Sequence, residues 1–325
     1  GNYEQRNEDA EVKLSVSDLS YENVRGKFTV DSIRLDHKKI EDYGLTDLRS
    51  SMADVRVEGF YAGLTFEDFV DNLICRYIPA YRYAVDKALR PGTNFICEAA
   101  LKEISPVLKV IYPELTVSDG TSFSCDFNDY QGSLRVRVEA DTLRWGDMHL
   151  YHSKIRAIGD SSTLQCIYTA DELKYKRIGR LYNVRNVTNI KTNDVDNALS
   201  WGNWEKETYS GSLSANLRLM KYHDRYITQV FVNPGSMVMA DSVWQVERAL
   251  LLKEDKNIFL NNFVIYRGDQ RFSLQGKIGS SPRDTLTVSF DNFDLAEFNR
   301  IIFDNKVKLF GKVVGRVNVS DFYKD

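Results

Sequence analysis

The sequence predicts a mainly β protein: an elongated, bent antiparallel or mixed sheet with an apolar trough, β-taco-like, and a few short amphipathic helices. Apolar and polar residues alternate over much of the chain, most clearly from Phe272 to Phe290, as strands with one wet face do. The aromatic share of 12%, with 18 Tyr and 17 Phe, favours strands over helices. Helical spacing occurs only in short stretches. With 325 residues and 43% hydrophobic content, the chain is long enough for a sizeable core.

We expect three segments: a β segment over 1–62, a helix-containing segment over 63–115 and a long β-sheet segment over 116–325. In the first segment, alternation in Val12, Leu14 and Val16 predicts the opening strands. The segments are read as one continuous elongated unit. Because the first residue is Gly rather than Met, we expect a piece cut from a longer protein.

Helical periodicity is strongest from Thr65 to Ile78. Thr65 and Asp68 resemble a capping box, with Asp in place of the usual Glu or Gln, and Pro79 is expected to end the helix. Residues 80–90 could form a second helix before the Pro-Gly pair that follows.

Two later stretches also have helical spacing. One covers 101–112, where Pro106 makes the start uncertain, and the other covers 294–303, with Asp294 as the expected N-cap. Each precedes a strand that carries a Gly near its start, which suggests a weak repeat. The segment 171–206 is less periodic and is expected to hold a longer loop.

The stretch Ser242–Phe293 organises this interpretation because its alternation gathers apolar side chains on one face of a sheet. Such a face can bind acyl chains by area, at ~0.8 kcal/mol per buried CH₂, without any directed bond. The predicted groove-lining residues are Ile258, Leu260, Phe263, Ile265, Phe272, Leu274, Ile278, Leu286, Val288, Phe290, Leu309, Val313 and Val317.

Local motifs give little support to catalysis. No nucleophile elbow, zinc-protease or phosphate-loop motif occurs, so we expect no enzyme, no catalytic residue and no cofactor. The tripeptide 267–269 reads as a hairpin turn rather than an adhesion motif. His149 and His152 lie in a strand-like region, which argues against a metal site. Trp201 and Trp204 are either a sugar-stacking platform or, as we favour, a structural pair.

Charge, hydropathy and cysteine content limit the kinds of partner and site that we expect. A net charge of −3 with interspersed signs gives no reason to expect nucleic-acid binding. No run of about 18 apolar residues occurs that could span a membrane. The cysteines form no C-x-x-C pair, so we expect them to be buried free thiols. The alternative, in an oxidising compartment, is that one or two disulfides form. The cysteines are Cys75, Cys97, Cys125 and Cys166.

The pattern over 242–325 resembles the TamB family, the translocation and assembly module proteins related to the AsmA-like proteins. The resemblance is weaker over 95–135 and thin over 1–90, where the helical neighbourhood of Thr65 departs from it. The residues that carry it are Trp244-Gln245-Val246, Asn262-Phe263-Val264-Ile265, Gln270-x-Phe272-x-Leu274-x-Gly276, Asp284-x-Leu286-x-Val288, Asn292-Phe293-Asp294-Leu295-x-x-Phe298-Asn299 and Gly311-Lys312-Val313-Val314-Gly315.

The resemblance implies a periplasmic segment of a bacterial envelope protein, anchored at the inner membrane outside this stretch. It also implies a hydrophobic groove for phospholipid transfer between membranes, outer-membrane assembly, or both. The implied partners are phospholipid acyl chains and, as a candidate, an outer-membrane barrel assembly protein. The alternative is a β-sandwich module at the cell surface that binds glycan or protein, in which two apolar faces would close into a dry core.

Overall fold

The computed structural model describes residues 3–6, 9–61, 65–81, 89, 91–175, 179–202, 210–223, 225–239, 242–297 and 308–322. Over these residues the chain forms 22 strands, the helices α1 (Phe66–Tyr77) and α2 (Ser105–Ile111), and one short 3-10 turn, Pro79–Tyr81. The prediction of a mainly β fold is therefore confirmed. Within the described residues, the chain divides into two compact units, one of Gly1–Arg76 with Tyr83–Leu173 and one of Tyr77–Arg82 with Lys174–Asp325.

The first unit is an antiparallel meander in which β2 to β5 each pair with the next strand along the chain. After β6 the order continues through β8, β9 and β10, and β7 pairs with the far part of β9. The strands are β1 (Tyr3–Arg6), β2 (Asp9–Asn23), β3 (Gly26–Ile40), β4 (Tyr43–Ser50), β5 (Ala53–Phe60), β6 (Asn94–Leu101), β7 (Leu115–Val117), β8 (Ser122–Asn128), β9 (Ser133–Trp145) and β10 (Met148–Gly159). Strand β11 (Thr163–Tyr175) crosses the boundary at Leu173.

The second unit continues the same plan. Strands β15 and β16 both pair along the same edge of β14. Strand β18 then pairs with β15, and β17 pairs with β16. Strand β19 pairs with β18, and β20, β21 and β22 follow in chain order. Its strands are β12 (Gly179–Lys191), β13 (Asp194–Trp201), β14 (Ser210–Tyr222), β15 (Arg225–Val232), β16 (Gly235–Met239), β17 (Ser242–Val246), β18 (Ala249–Glu254), β19 (Asn257–Arg267), β20 (Gln270–Ile278), β21 (Thr285–Asp294) and β22 (Lys312–Ser320).

Helix α1 begins at the capping box that the sequence predicts. The Asp68 amide donates to Thr65 Oγ1 at 3.1 Å, and the Thr65 amide donates back to Asp68 Oδ2 at 3.3 Å. The two side chains also hydrogen-bond to each other at 2.7 Å. Asp therefore performs the reciprocal capping that Glu usually performs, because its shorter side chain still reaches the Thr65 amide.

The predicted start of the next helix at residue 101 is wrong. Leu101 is the last residue of β6 and pairs with Ala53, whereas α2 begins at Ser105. The strand pairing overrides the helical spacing of the first residues, and Pro106 then occupies the first turn, where its missing N–H costs no hydrogen bond.

The predicted loop in 171–206 is also wrong over the described residues, because β11, β12 and β13 fill most of it. Asn186, Thr188 and Asn197 replace apolar residues on one face and hydrogen-bond to one another across β12 and β13 at 2.8 to 3.1 Å. The ladder is thus stabilised by polar pairs that a hydropathy pattern cannot register.

Two other predicted helices fall mostly outside the described residues. Of 80–90, only Ala80, Tyr81 and Leu89 are described, and the first two lie in the 3-10 turn. Of 294–303, residues 298–303 are not described. At its start, Asp294 Oδ1 accepts the Ala296 amide at 2.9 Å, which is the capping bond expected of Asp294.

Candidate functional site

The predicted groove residues of β19 and β20 lie on a common face of the second unit. Ile258 opposes Ile278, Phe263 opposes Leu274, and Ile265 opposes Phe272. Residues directly opposed in an antiparallel pair project to the same side of the sheet. The extra residue at Asn261–Asn262 shifts the register by one position and keeps Leu260 and Phe263 on this side. We call this side the apolar face of the second unit.

The face continues onto β21 and β22. Val288 lies between Leu274 and Val317, and Leu286 lies between Gly276 and Val319. A second bulge, between Phe290 and Phe293, again adds one residue, so that Phe293 opposes Val313 and both remain on the apolar face. Of the predicted residues, only Leu309 lies outside a strand, because β22 begins at Lys312.

From β19 toward β12, the apolar face extends far beyond the predicted groove residues. Nine residues, one from each of nine strands, stand directly opposite one another in succession: Ile190, Val195, Leu217, Val230, Leu251, Leu260, Gly276, Leu286 and Val319. At a strand spacing of ~4.8 Å, the eight steps make a row ~38 Å long. Alternation alone does not predict this length, because it does not identify the pairing partner of each strand.

The apolar face is only partly buried. Eight of the row residues are half-buried or exposed apolar side chains, and Val317 and Val319 at the β22 end are 53% and 40% exposed. A closed sandwich core would bury such side chains almost fully. Within the described part of the second unit, the strands form a single sheet, so no second sheet covers this face.

An aromatic cluster seals one end of the apolar face. Phe293 lies 5.7 Å from Trp244, 6.2 Å from Phe272 and 5.8 Å from Phe290, measured between ring centroids. Trp244 is 1% exposed and Phe293 is 7% exposed. The rings meet at tilted or edge-on angles, which aromatic quadrupoles favour. Trp244 and Phe293 are not among the predicted groove residues, because their contact depends on the bulge in β21.

A partly buried ion pair accompanies this cluster. The Arg267 guanidinium lies 5.0 Å above the Trp244 ring and 3.2 Å from Glu297, whose side chain is 6% exposed. Trp244 Nε1 is buried, and no described residue supplies a hydrogen-bond acceptor for it. The Arg267–Glu297 pair connects the segment after β21 to the end of β19. The end of the face is therefore closed by side chains from four strands, β17, β19, β20 and β21, and from this segment.

Val264 departs from the alternation. It opposes Ser273 on the side away from the apolar face, yet it is 1% exposed. It lies beside the interruption between β17 and β18, where the Glu247 amide donates to its carbonyl oxygen at 3.0 Å. The connection between β17 and β18 lies against this position, so the burial of Val264 does not follow the two-residue period.

The first unit has an apolar face of its own. One residue from each of eight strands forms a directly opposed row: Leu14, Leu35, Leu48, Val55, Ala99, Phe123, Val138 and Ile155. Leu14 is exposed and the others are half-buried. The two units therefore repeat one feature, a long half-exposed apolar row across consecutive strands.

Helix α1 closes one end of the face of the first unit. The Phe69 ring lies 5.0 Å from Phe95 and 5.1 Å from Phe127, and Phe127 is 1% exposed. Arg76 stacks over Phe127 at 5.3 Å and pairs with Asp129 at 2.6 Å. As in the second unit, an arginine lies on a buried aromatic ring and pairs with a carboxylate.

Helix α2 fills a different position in the first unit. It packs against β3 and β7, and Val107 and Val110 are buried. Within β3, only the part from Ile33 to Ile40 pairs with β4. The earlier part of β3 therefore extends beyond the β4–β5 hairpin. Arg25 Nη1 donates to the Ile111 carbonyl at 3.2 Å, which fixes the helix end to the β2–β3 turn.

The opposite face of the first unit is charged. Asp47 opposes Arg56, Arg56 opposes Glu98, and Arg137 stands one strand further, beyond Ser124. These side chains line an open depression of about 600 Å³. Mixed signs and exposure are typical of a solvated surface, with ion pairs such as Arg56–Glu58 at 2.9 Å.

All four cysteines are free thiols. Cys97 and Cys125 are directly opposed on the apolar face of the first unit. Burial raises the pKa of Cys125 to about 12 and raises the pKa of Cys97 and of Cys166 as well. Because the thiolate is the reactive form, burial makes these thiols poor nucleophiles at neutral pH.

The remaining motifs have structural positions. Gly268 and Asp269 form the turn between β19 and β20, as predicted. The Trp201 ring lies against Gly211, where an added Cβ would come within 2.3 Å of it, and Trp204 is outside the described residues. His152 Nδ1 lies 3.1 Å from Asp171 on the surface. Among the described residues, no three His, Cys, Asp or Glu side chains are grouped as a metal site would need.

In the part of the chain that the structure describes, no helix has the length and apolar character needed to cross a membrane. Comparison with models of known protein families, with curated proteins and with solved structures gives no match to this chain.

Proposed function

We propose that this chain binds lipid acyl chains along the apolar faces of its two units and is not an enzyme. The observation that carries the proposal is the row of half-exposed apolar side chains across nine strands of the second unit. An exposed apolar surface of this length is unusual for a soluble protein unless it contacts a ligand, a partner or a membrane.

The energetics favour an acyl chain. A chain of ~16 carbons gains on the order of 10 kcal/mol from burial, before the cost of ordering it. This gain needs area and no directed hydrogen bond, which agrees with the long row of apolar side chains on this face. The closed aromatic end at Trp244 and Phe293 limits how far a bound chain extends along the strand direction.

We further propose that the activity serves phospholipid transfer or outer-membrane assembly in the periplasm. The resemblance of 242–325 to the TamB family supports this setting, and the antiparallel strand order within each unit agrees with it. The partners are then phospholipid acyl chains and an outer-membrane barrel assembly protein.

The test uses two valines of the same strand. Val317 lies on the apolar face at 53% exposure, and Val314 lies on the opposite face at 75% exposure. Because both are exposed, Val317→Asp and Val314→Asp should both leave the fold intact, which thermal melts followed by circular dichroism would check. Binding of a photoreactive fatty-acyl phospholipid is measured by crosslinking yield.

We expect Val317→Asp to lower the crosslinking yield severalfold and Val314→Asp to leave it unchanged. A photoreactive residue at Leu274 should crosslink to lipid, whereas one at Gln275, exposed on the other face, should not. Equal yields from the two faces would rule out the apolar face as the lipid site.

A further inference from the structure

The apolar face of the first unit carries a group of polar side chains on β3 and β4. His37 and Thr46 oppose each other there, next to the leucines that these two strands contribute to the apolar row. Because residues two apart in a strand share a face, His37, Thr46 and also Lys39 lie on the apolar face. The Tyr61 hydroxyl joins them from the end of β5. We call His37, Lys39, Thr46 and Tyr61 the polar cluster.

Hydrogen bonds order the side chains of this cluster. The Tyr61 hydroxyl lies 2.6 Å from Thr46 Oγ1, which in turn lies 2.8 Å from His37 Nδ1. Burial raises the pKa of Tyr61, so its hydroxyl is protonated at neutral pH. When Tyr61 donates to Thr46 and Thr46 donates to His37 Nδ1, the imidazole proton is on Nε2. His37 Nε2 is then a donor, and it has no acceptor among the described residues.

Lys39 brings a positive charge to the same place. It follows His37 by two residues, or ~6.7 Å along the strand, so its ammonium and His37 Nε2 can reach one bound group. Within the described residues, Lys39 has an ion pair with Asp42 at 4.0 Å, and the Asp42 carboxylate is 81% exposed. Such an exposed pair contributes little, so the charge of Lys39 remains available. The neighbouring Lys38 lies on the other face, 3.6 Å from Glu11.

From these features we infer that the polar cluster binds the phosphate of a phospholipid whose acyl chain lies along the apolar row of the first unit. The inference rests on the proposed function, because it locates the head of the same ligand. Lys39 and His37 Nε2 each donate to a phosphate oxygen, whose negative charge strengthens both bonds. Thr46 and Tyr61 are positioning residues, because they orient the imidazole. From β3 to β10 the row crosses seven strands, or ~29 Å, which an acyl chain can follow.

The test measures binding to the first unit within the full chain. A photoreactive residue replaces Leu48, which lies on the apolar row two residues from Thr46, and mass spectrometry measures the yield of its lipid adduct. The first probe is dioctanoyl phosphatidylglycerol. The second is dioctanoylglycerol, which has the same chains and no phosphate. The third is hexadecanoate, which has the same number of acyl carbons and a carboxylate. Each probe is used at the same concentration.

We expect the phosphatidylglycerol adduct to exceed the other two by about fivefold or more, because hydrogen bonds to a charged phosphate are stronger than neutral ones. Lys39→Met and His37→Phe should each remove most of this preference and leave the dioctanoylglycerol adduct unchanged. Lys38→Met is the matched control, because Lys38 is the adjacent lysine on the other face, and should keep the preference. Circular dichroism melts check folding, and either donor variant that folds is sufficient.

Equal adducts from phosphatidylglycerol and dioctanoylglycerol would overturn this inference and still support acyl binding by the first unit. A phosphatidylglycerol preference that survives both Lys39→Met and His37→Phe would overturn it as well. A hexadecanoate adduct as abundant as that of phosphatidylglycerol would overturn the assignment to phosphate. The absence of an adduct from every probe would overturn the proposed function of the first unit together with this inference.

Discussion

Replacement of Phe127 by Ala should destabilise the first unit strongly. The ring is 1% exposed, lies within 5.1 Å of Phe69 and 5.8 Å of Phe95, and supports the Arg76 guanidinium. Truncation of a buried phenylalanine costs about 3–5 kcal/mol. Here the aromatic pairs and the stacked arginine are lost together, so we expect the upper half of that range.

The magnitude is large against a typical domain stability of about 5–15 kcal/mol. For a unit of this size, each kcal/mol lowers the melting temperature by about 2–4 °C, so a fall of roughly 8–20 °C follows. Urea unfolding followed by circular dichroism gives the free energy of unfolding. Tyr130→Ala, at a residue that is 80% exposed, is the control and should change it by less than about 0.5 kcal/mol.

The result also tests whether α1 holds the end of the face. Phe69→Leu combined with Phe127→Leu should cost less than the sum of the two single changes, since both remove the same contact. A loss below 1 kcal/mol for Phe127→Ala, with an unchanged urea dependence, would refute the account of this aromatic cluster.

Two further predictions concern single positions. Gly276→Ala should destabilise the second unit by several kcal/mol in urea unfolding, because φ is +136° and the new Cβ would lie 2.2 Å from the Thr285 carbonyl oxygen. Ser280→Ala, in the adjacent exposed turn, should have little effect, and equal losses from the two changes would contradict the steric reason. The raised pKa of Cys125, about 12, means that the folded state favours the protonated thiol. Its contribution to stability is full below the unfolded pKa of ~8.5 and is lost as pH rises from there toward 12. Melts of wild type and Cys125→Ala at pH 7 to 11 should show a smaller high-pH loss in the variant, and parallel curves would contradict the burial of this thiol.

The alternation of apolar and polar residues predicts most strands and the side of the sheet on which their apolar residues lie. Phe272, Leu274 and Val288 lie where alternation places them, because each side chain needs only its own strand to define its face. The capping box at Thr65 is equally local. These features depend on residues a few positions apart, which the sequence displays directly.

The features that the sequence does not predict depend on contacts between residues far apart in the chain. Trp244, Arg267 and Glu297 meet only after the four strands β17, β19, β20 and β21 have paired in register. The polar ladder of Asn186 and Asn197 looks like a loop until its strands pair. The length of the apolar row follows from which strand adjoins which, and that order is settled by turns and bulges together.

The meander has a consequence for how such a protein can change in length. From β2 to β6 and from β18 to β22, each strand pairs only with its chain neighbours or with strands close by in sequence. Deletion or duplication of one hairpin would alter the sheet by two strands, or ~10 Å, and leave the remaining pairings untouched. The span of such a molecule is therefore a quantity that evolution can adjust in hairpin-sized steps without redesigning its core.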